Sequence, residues 1–291
     1  MSMVARGRAE RDRAGDHRRP QQRERNSGHM SALLDTAIEA ASRAGELLLE
    51  RYGSVGSIRR KTDGSFVSET DRRSEKLIIE TIRERFPAHR IRAEESGDSG
   101  TDEDYLWLVD PLDGTHNFIR DIPIFGVCIG IMRGEEFTAG VINLPWDRTL
   151  CAAEKGAGAF AGDVRLRVSK AETLAGSTVA FDSTLCDDVG RRIDVLHRVA
   201  RSVFNVRMFG ASAQVMSYLA RGSVDGVVEF DDKPWDFAAG VCLIREAGGI
   251  VTDIEGGQLG AHSRGYVAGN PSIHTGLREV VHGSPVSVKG A

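Results

Sequence analysis

The sequence predicts an α+β fold built from packed layers of helices and strands. Apolar residues recur at helical spacing over residues 33–48. Short apolar runs at 105–109, 127–132 and 137–142 are typical of buried strands. Helices and strands then mix without the strict β-α-β alternation of a parallel doubly wound sheet. We therefore expect a layered α+β sandwich rather than a Rossmann-type unit.

Local signals place the other elements of the N-terminal part. The stretch 61–65 is rich in turn-forming residues. A second helix around 77–82 ends before Pro87, and Thr70 or Asp71 is its candidate N-cap. Beyond a turn at Gly134-Glu135, strands are predicted at 150–153, 159–160 and 164–168.

A stretch containing Ser, Thr and Gly at 169–177 divides the chain into two halves, 31–168 and 169–291. Glycines following apolar periodic segments end helices in the second half. The predicted helices there are 189–202, 212–221 and 236–247, and the predicted strands are 177–181, 206–209, 224–230 and 250–254.

Composition and charge narrow the functional class. The chain has 291 residues, 41% of them hydrophobic, and its longest apolar stretch is interrupted by Pro and Gly, so a membrane span is not expected. The net charge is −4, but residues 1–30 hold eight arginines and only four acidic residues. The remainder is therefore acidic. This argues against a large nucleic-acid footprint and suits a protein that gathers carboxylates around cations.

The first 30 residues and the cysteines carry no catalytic signal. Residues 1–30 contain no Leu, Ile, Phe, Tyr or Trp, so we predict a disordered basic tail, a tag, or residues upstream of a start at Met30. The four cysteines form no CxxC pair, and we interpret them as buried apolar residues of a protein in the reducing cytoplasm.

The sharpest chemical signal is the segment Asp110–Phe118, DPLDGTHNF, which follows an apolar strand ending at Val109. Pro and Gly allow a sharp turn in which Asp110, Asp113 and the Leu112 carbonyl converge as oxygen ligands for Mg²⁺. The amides of Gly114 and Thr115 would form an anion site beside them. An ordinary Asp-Pro-Gly turn remains the alternative.

Two further acidic sites could bind metal or could have an ordinary structural role. Glu94 and Glu95 are adjacent carboxylates that repel each other unless they are solvated or bridged by a cation. Asp236, in PWDFAAG, is a candidate N-cap that could also bind a metal. The small residues that follow Asp236 predict close backbone packing.

Four segments in order resemble the inositol monophosphatase family. They are KTDGSFVSETD at 61–71, AEES at 93–96, DPLDGTHNF at 110–118 and PWDFAAGVCLIREAGG at 234–249, and the match runs over about residues 31–282. The resemblance implies an αβαβα fold and Mg²⁺-dependent hydrolysis of a phosphate monoester. It also implies that both halves of the chain complete one active site.

The resemblance further implies a role for each matching residue. Glu94, Asp110, Asp113 and the Leu112 carbonyl would hold one Mg²⁺, Asp110, Asp113 and Asp236 a second, and Glu94 a weaker third. Asp71 and Thr115 would orient and deprotonate the attacking water, with Glu94 counted among the catalytic groups and Glu95 as acidic support. The substrate would contact Gly114, Thr115, Gly210, Ser212 and Glu229.

The substrate is less sharply indicated than the mechanism. Inositol 1-phosphate is the leading expectation, with fructose 1,6-bisphosphate, dual activity or histidinol phosphate as alternatives and a metal-binding regulatory protein as the non-enzyme alternative. Lys233 could meet a second phosphate or could lie beside Trp235, and His116 is expected in a loop. The resemblance also implies a homodimer and sensitivity to Li⁺; neither a nucleic acid nor a membrane is an expected partner.

Overall fold

A computed structural model describes residues 31–54, 56–62, 64–185 and 188–283. The predicted tail at 1–30 lies outside these residues. The helices are α1 (Ala32–Arg51), α2 (Glu69–Arg85), α3 (Thr115–Phe118), α4 (Val189–Ser202), α5 (Ser212–Ala220), α6 (Pro234–Glu246) and α7 (Pro271–Val281), with a 3-10 turn at Leu174–Gly176.

The strands form a hairpin and two sheets. The hairpin pairs β1 (Ile58–Arg60) with β2 (Phe66–Ser68). The larger sheet contains β3 (Arg90–Ala93), β4 (Gly97–Ser99), β5 (Tyr105–Asp113), β6 (Gly126–Arg133), β7 (Glu136–Leu144), β8 (Thr149–Glu154), β9 (Gly158–Ala161) and β10 (Val164–Arg165), in the order β10-β9-β8-β7-β6-β5-β3-β4. The smaller sheet contains β11 (Thr178–Phe181), β12 (Asn205–Arg207), β13 (Gly226–Glu229), β14 (Ile250–Thr252) and β15 (Tyr266–Gly269), in the order β12-β11-β13-β15-β14.

These elements stack in five layers, which confirms the predicted αβαβα sandwich. Helices α1 and α2 cover one face of the larger sheet, and α5 and α6 lie between the two sheets. Helices α4 and α7 pack together on the outer face of the smaller sheet. Because α6 belongs to the C-terminal half but packs on the larger sheet, the two halves interlock.

Helix α6 approaches the larger sheet unusually closely because both surfaces are made of small residues. A Cβ atom on Gly130 would lie 2.4 Å from the Ala238 Cβ, and one on Gly140 would lie 2.3 Å from the Ala239 carbonyl oxygen. The close packing predicted from this small-residue segment is confirmed, and it fixes the depth of the helix end that carries Asp236.

The two helices that carry site residues at their starts begin earlier than the sequence analysis predicted. Helix α2 begins at Glu69 with Ser68 as its N-cap, and α6 begins at Pro234 after Lys233. The predicted N-caps were therefore wrong: Asp71 and Asp236 each sit at the third helical position. There their carboxylates accept hydrogen bonds from the backbone amides of Ser68 and Lys233.

Other differences concern elements stabilised by distant partners. The apolar strand does not end at Val109 but continues as β5 to Asp113, with an irregular register against β6 between Asp110 and Asp113. The 61–65 turn joins β1 to β2. Strands β1–β4 and β15 and helix α7 were not predicted: the strands are only three or four residues long, whereas α7 was missed despite apolar residues at helical spacing. No helix among the described residues is long and apolar enough to cross a membrane.

Replacing Gly140 with Ala tests the close contact of α6 with the larger sheet. Because the added methyl would collide with backbone atoms that cannot rotate away, we expect Gly140→Ala to lower the free energy of unfolding by about 1–3 kcal/mol. Chemical denaturation would measure this change. Gly176→Ala is the matched control, since a Cβ there meets nothing within 4 Å; equal stability of the two variants would contradict the packing argument.

Candidate active site

The predicted site residues surround one cavity between the two sheets. The cavity has a volume of about 730 Å³. Its lining includes all the predicted metal-binding and substrate-binding residues, namely Glu94, Asp110, Leu112, Asp113, Gly114, Thr115, Gly210, Ser212, Glu229 and Asp236. Asp71 lies behind Thr115 and reaches the site through it. Residues separated by more than 140 positions in the chain thus meet at one place.

The end of β5 carries the central pair of carboxylates. Asp110 accepts a hydrogen bond from the Leu112 amide at 3.0 Å. The two oxygens of Asp113 accept hydrogen bonds from the amides of Ser212 at 3.1 Å and Ala213 at 2.7 Å. These amides begin α5, so a helix N-terminus from the C-terminal half holds a carboxylate of the N-terminal half.

Burial and mutual repulsion make both carboxylates difficult to ionise. Burial, together with the charges of Glu94, Asp113 and Asp236, raises the pKa of Asp110 well above its usual range. Burial raises the pKa of Asp113 to about 7, although the amides of α5 oppose the shift. A nearby cation would favour the ionised forms of both groups.

Gly114 shapes the turn that follows β5. Its backbone adopts a φ of +81°, and a Cβ atom there would lie 2.8 Å from the Ile124 carbonyl oxygen. The turn directs the chain into α3, a single helical turn that begins at Thr115. The Thr115 hydroxyl lies 3.0 Å from Asp71 Oδ1 and 3.0 Å from the Leu112 carbonyl oxygen.

The Asp71 carboxylate links the start of α2 to this turn. Its Oδ2 accepts the Ser68 amide at 2.9 Å, while its Oδ1 accepts the hydroxyl of Thr115. Burial raises the pKa of Asp71, and the hydrogen bonds from Ser68 and Thr115 oppose that shift. The Asp71 carboxylate thus fixes the start of α2 with one oxygen and the hydroxyl of Thr115 with the other.

The acidic pair after β3 does not form a freely solvated loop. The side chains of Glu94 and Glu95 are 14% and 10% exposed. Lys61 of the β1–β2 turn donates to Glu94 at 2.7 Å and also pairs with Glu95. Burial raises the pKa of Glu95 to about 6 despite this lysine. The Glu95 amide donates to Glu75 of α2 at 2.7 Å, which fixes the turn.

Lys61 is a site residue that sequence reasoning did not single out. Although burial lowers its pKa, Glu94 and Glu95 together raise it above the ordinary value for lysine. Its signals in the sequence were its position in a turn and at the start of the 61–71 segment; its acidic partners lie more than 30 residues away. Its ammonium group shows that this corner of the cavity accepts positive charge.

Asp236 completes the acidic cluster from the opposite half of the chain. Its Oδ2 accepts the Lys233 amide at 2.7 Å. Burial and the charges of Asp232 and Glu94 raise the pKa of Asp236 well above its usual range. Carboxylates from the turn after β3, from β5 and from α6 therefore share one electrostatic environment.

The donor set suits hard divalent cations, although the carboxylates are not yet arranged around a common point. Among the residues that the structure describes, no group of three His, Cys, Asp or Glu side chains has the geometry of a metal site. Carboxylate and carbonyl oxygens are nevertheless the ligands that Mg²⁺ prefers. Bound cations would neutralise the repulsion that raises these pKa values.

The smaller sheet supplies the opposite wall of the cavity. Ser212 Oγ donates to Asp232 Oδ2 at 2.5 Å. Burial raises the pKa of Asp232 to about 7, and burial together with the charge of Asp232 raises that of Glu229 well above its usual range. Gly210 lies beside Asn117, whose amide group donates to the Phe209 carbonyl at 2.8 Å. Asp232 was not predicted as a site residue because its partner Ser212 is distant in sequence.

Two residues with open interpretations now have defined surroundings. His116 lies in α3 rather than in a loop, and its ring stacks on Phe66 with centroids 5.7 Å apart. The Lys233 ammonium lies 5.5 Å from the centre of the Trp235 ring, as in the interpretation that it packs beside that side chain.

Comparison with known proteins assigns the fold and the family. A family model described as the inositol monophosphatase family matches residues 29–285. The chain belongs to the inositol monophosphatase family. The resemblance found in the four sequence motifs is therefore confirmed, and inositol monophosphatases are generally metal-dependent.

Individual relatives cover nearly the whole chain. Nus factor SuhB of Escherichia coli K12 is 38% identical over 249 residues, which are 84% of this chain and 93% of SuhB. The fructose-1,6-bisphosphatase/inositol-1-monophosphatase of Aquifex aeolicus is 36% identical over 256 residues, which are 87% of this chain and 96% of the Aquifex protein. The extragenic suppressor protein suhB of Bartonella henselae matches in structure with a TM-score of 0.83 and 36% identity, covering 90% of this chain and all of that one.

The raised pKa of Asp113 gives a testable pH dependence. Because protons bind its carboxyl more tightly in the folded protein than in the unfolded chain, this group destabilises the fold as the pH rises from about 4 through about 7. In EDTA-treated protein, we expect the melting temperature of Asp113→Asn minus that of the wild type to be larger at pH 8 than at pH 5. Thermal melts at both pH values would measure the difference.

The control is Asp98→Asn, which removes an exposed acid with a lowered pKa outside the cavity. The melting temperature of this variant should not rise relative to that of the wild type as the pH increases. A melting-temperature difference between Asp113→Asn and the wild type that stays constant with pH would contradict the assignment of a buried, repelled carboxyl to Asp113.

Proposed function

We propose that this protein is a Mg²⁺-dependent hydrolase of phosphate monoesters that acts on a small polyol or sugar phosphate, with inositol 1-phosphate as its leading substrate. The observation that carries the proposal is the placement of Glu94, Asp110, Asp113 and Asp236 around one cavity beside the Asp71–Thr115 pair. Family membership supports the phosphatase activity.

Glu94, Asp110, Asp113 and the Leu112 carbonyl would hold one Mg²⁺, and Asp110, Asp113 and Asp236 would hold a second. Glu94 would also hold a weaker third ion. Bound Mg²⁺ would lower the pKa of the attacking water and stabilise charge on the phosphate and the leaving alkoxide. Lys61 would have to release Glu94 for the full set of ligands to form, since it now binds the same carboxylate.

The residues around Thr115 orient the nucleophile. Asp71 Oδ1 accepts the hydroxyl proton of Thr115 at 3.0 Å, which leaves the Thr115 oxygen able to accept a hydrogen bond from water. The amides of Gly114 and Thr115 would donate to the phosphate. Retention of this water-orienting pair favours an enzyme over a regulatory protein that only binds metal, because binding alone does not require it.

The wall of the smaller sheet favours a hydroxyl-rich substrate. Glu229, Asp231 and Asp232 line the cavity opposite the acidic cluster, and carboxylates accept hydrogen bonds from hydroxyl groups. A second phosphate would be repelled by the same groups. The position of Lys233 over Trp235 weakens the argument that this lysine serves a bisphosphate.

Fructose 1,6-bisphosphate remains the second candidate on a specific observation. Arg60, Lys233 and Arg264 also line the cavity and provide positive charge at its rim. The relative from Aquifex aeolicus is named for activity on both substrates. A dual activity like that one is therefore included in the test below.

The cellular setting follows as part of the same proposal. We place the enzyme in the cytoplasm as a homodimer with no nucleic-acid or membrane partner. The free, buried state of Cys128, Cys151 and Cys242 supports a reducing compartment, and Cys186 lies outside the described residues. Sensitivity to Li⁺ remains a prediction from the family.

A substrate panel tests the proposed activity. Phosphate release by the purified protein would be measured with Mg²⁺ on inositol 1-phosphate, fructose 1,6-bisphosphate, histidinol phosphate and a 3′-phosphoadenosine nucleotide. We expect the highest kcat/KM with inositol 1-phosphate and none of the activity in EDTA. Asp113→Asn should lower kcat by roughly 10³-fold or more, because it removes a charge shared by two metal ions.

Asp98→Asn again serves as the matched acidic control and should keep full activity. Normal turnover by Asp113→Asn would contradict the mechanism. A preference for fructose 1,6-bisphosphate would establish the second candidate instead. Mg²⁺ binding without release of phosphate from any of the four substrates would favour the regulatory alternative.

A further inference from the structure

A buried arginine lies behind the cavity wall, apart from the acidic cluster. Arg192 belongs to α4 on the outer side of the smaller sheet, and it is only 4% exposed. It is not among the residues that line the cavity. None of the four family motifs contains it, so nothing above gives it a function.

Arg192 binds the segment 182–184, which directly follows β11. Its Nη1 lies 3.2 Å from Asp182 Oδ2 and donates to the Thr184 carbonyl. Asp182 in turn accepts the Thr184 amide with its Oδ1 at 2.6 Å. The guanidinium group therefore fixes both the side chain and the backbone of this segment.

The same guanidinium group binds the segment that leads from β13 to α6. Its Nη2 pairs with the Asp231 carboxylate, and its central carbon lies 5.4 Å from the centre of the Phe230 ring. The Phe230 amide donates to Asp182 Oδ2 at 3.3 Å, so the two segments also bond to each other. Arg192 and Asp182 together form a single cross-link between them.

The cross-linked segments are the outer wall of the cavity. Asp182, Ser183 and Thr184 line it from one segment, and Asp231 and Asp232 line it from the other. A planar guanidinium group can bind two carboxylates and a carbonyl at fixed angles, which a lysine cannot do. A buried ion pair contributes little net stability, and its better-attested role is to specify one arrangement.

We propose that Arg192 is a positioning residue that sets the spacing of these two segments, and thereby orients the wall that receives the hydroxyl-bearing part of the substrate. It also neutralises Asp182 and Asp231, so that the wall repels the phosphate ester less. The inference rests on the proposed function. Asp113 is held separately by the α5 amides, and Asp236 is fixed by the Lys233 amide at the start of α6. We therefore expect Arg192 to act mainly on substrate binding rather than on the chemical step.

The test compares two Arg→Lys changes on one helix. Arg192→Lys keeps the positive charge but removes the planar guanidinium group that binds several partners at once. Arg198→Lys makes the same change in α4 at a residue that donates to the Val280 and Val281 carbonyls, at 2.9 Å and 3.0 Å, away from the cavity. KM and kcat for inositol 1-phosphate, the inhibition constant of inorganic phosphate and the melting temperature would be measured for both variants and the wild type.

We expect Arg192→Lys to raise KM roughly tenfold while kcat and the inhibition constant of phosphate change less than about twofold, because phosphate binds on the side of the acidic cluster. Arg198→Lys should leave all three constants unchanged. An unchanged KM in Arg192→Lys, or equal losses in kcat and phosphate affinity, would overturn the proposal.

Hydrogen exchange provides a readout that does not depend on catalysis. Arg192→Lys should accelerate exchange at the amides of Thr184 and Phe230 together, while the amides of Ser212 and Ala213 keep the wild-type rate. Exchange that rises in only one segment, or not at all, would overturn the cross-link even if the wild type hydrolysed none of the four substrates. Failure of the proposed function would appear separately, as absent phosphate release by the wild type.

Discussion

The repulsion among buried carboxylates is the constraint on which the rest of the structure depends. Asp110, Asp113 and Asp236 meet at one cavity, and burial with mutual charge raises the pKa of each. Such a cluster costs folding free energy unless cations or hydrogen bonds compensate. Backbone amides at helix starts provide part of that compensation, since Asp113 binds the start of α5 and Asp236 the start of α6. The remaining negative charge would favour the binding of divalent cations.

The five-layer fold brings these groups together from distant parts of the chain. The β5 strand carries two of the carboxylates, and α6, which lies between the two sheets, carries a third. Glycines on β6 and β7 let α6 lie against the larger sheet at backbone contact. A tight interface of this kind limits how far the carboxylates can move apart to relieve their repulsion.

Much of the site was predictable because its motifs are local. The Asp-Pro-Leu-Asp-Gly segment shows two carboxylates after an apolar strand and a glycine that the φ of +81° at Gly114 requires, although the segment up to Asp113 continues the strand instead of turning. The helix starts were less accessible: Asp71 and Asp236 resemble N-caps in sequence, yet each lies at the third position of its helix. The local signals that place these starts correctly are the capping-box spacing of Ser68 and Asp71 and the proline at position 234, which is favoured at the first helical residue.

The remaining site residues depend on contacts that no local pattern contains. Lys61 meets Glu94 across 33 residues, Ser212 meets Asp232 across 20, and Arg192 meets Asp231 across 39. Strand β15 was missed because it is only four residues long and its partner strands lie elsewhere in the chain. Helix α7 was missed although Ile273, Leu277 and Val281 recur at helical spacing after an Asn-Pro helix start. Tertiary packing decides such contacts and elements.

The most direct measurement of the central claim is the Mg²⁺ dependence of the melting temperature in Asp236→Asn, with Asp253→Asn as a control on a turn outside the cavity. The account predicts that Asp236→Asn melts higher than the wild type in EDTA, because one repelling charge is gone, while its apparent affinity for Mg²⁺ falls roughly tenfold or more. Wild-type Mg²⁺ affinity in this variant, with no gain of stability in EDTA, would contradict the claim that these carboxylates converge to bind metal.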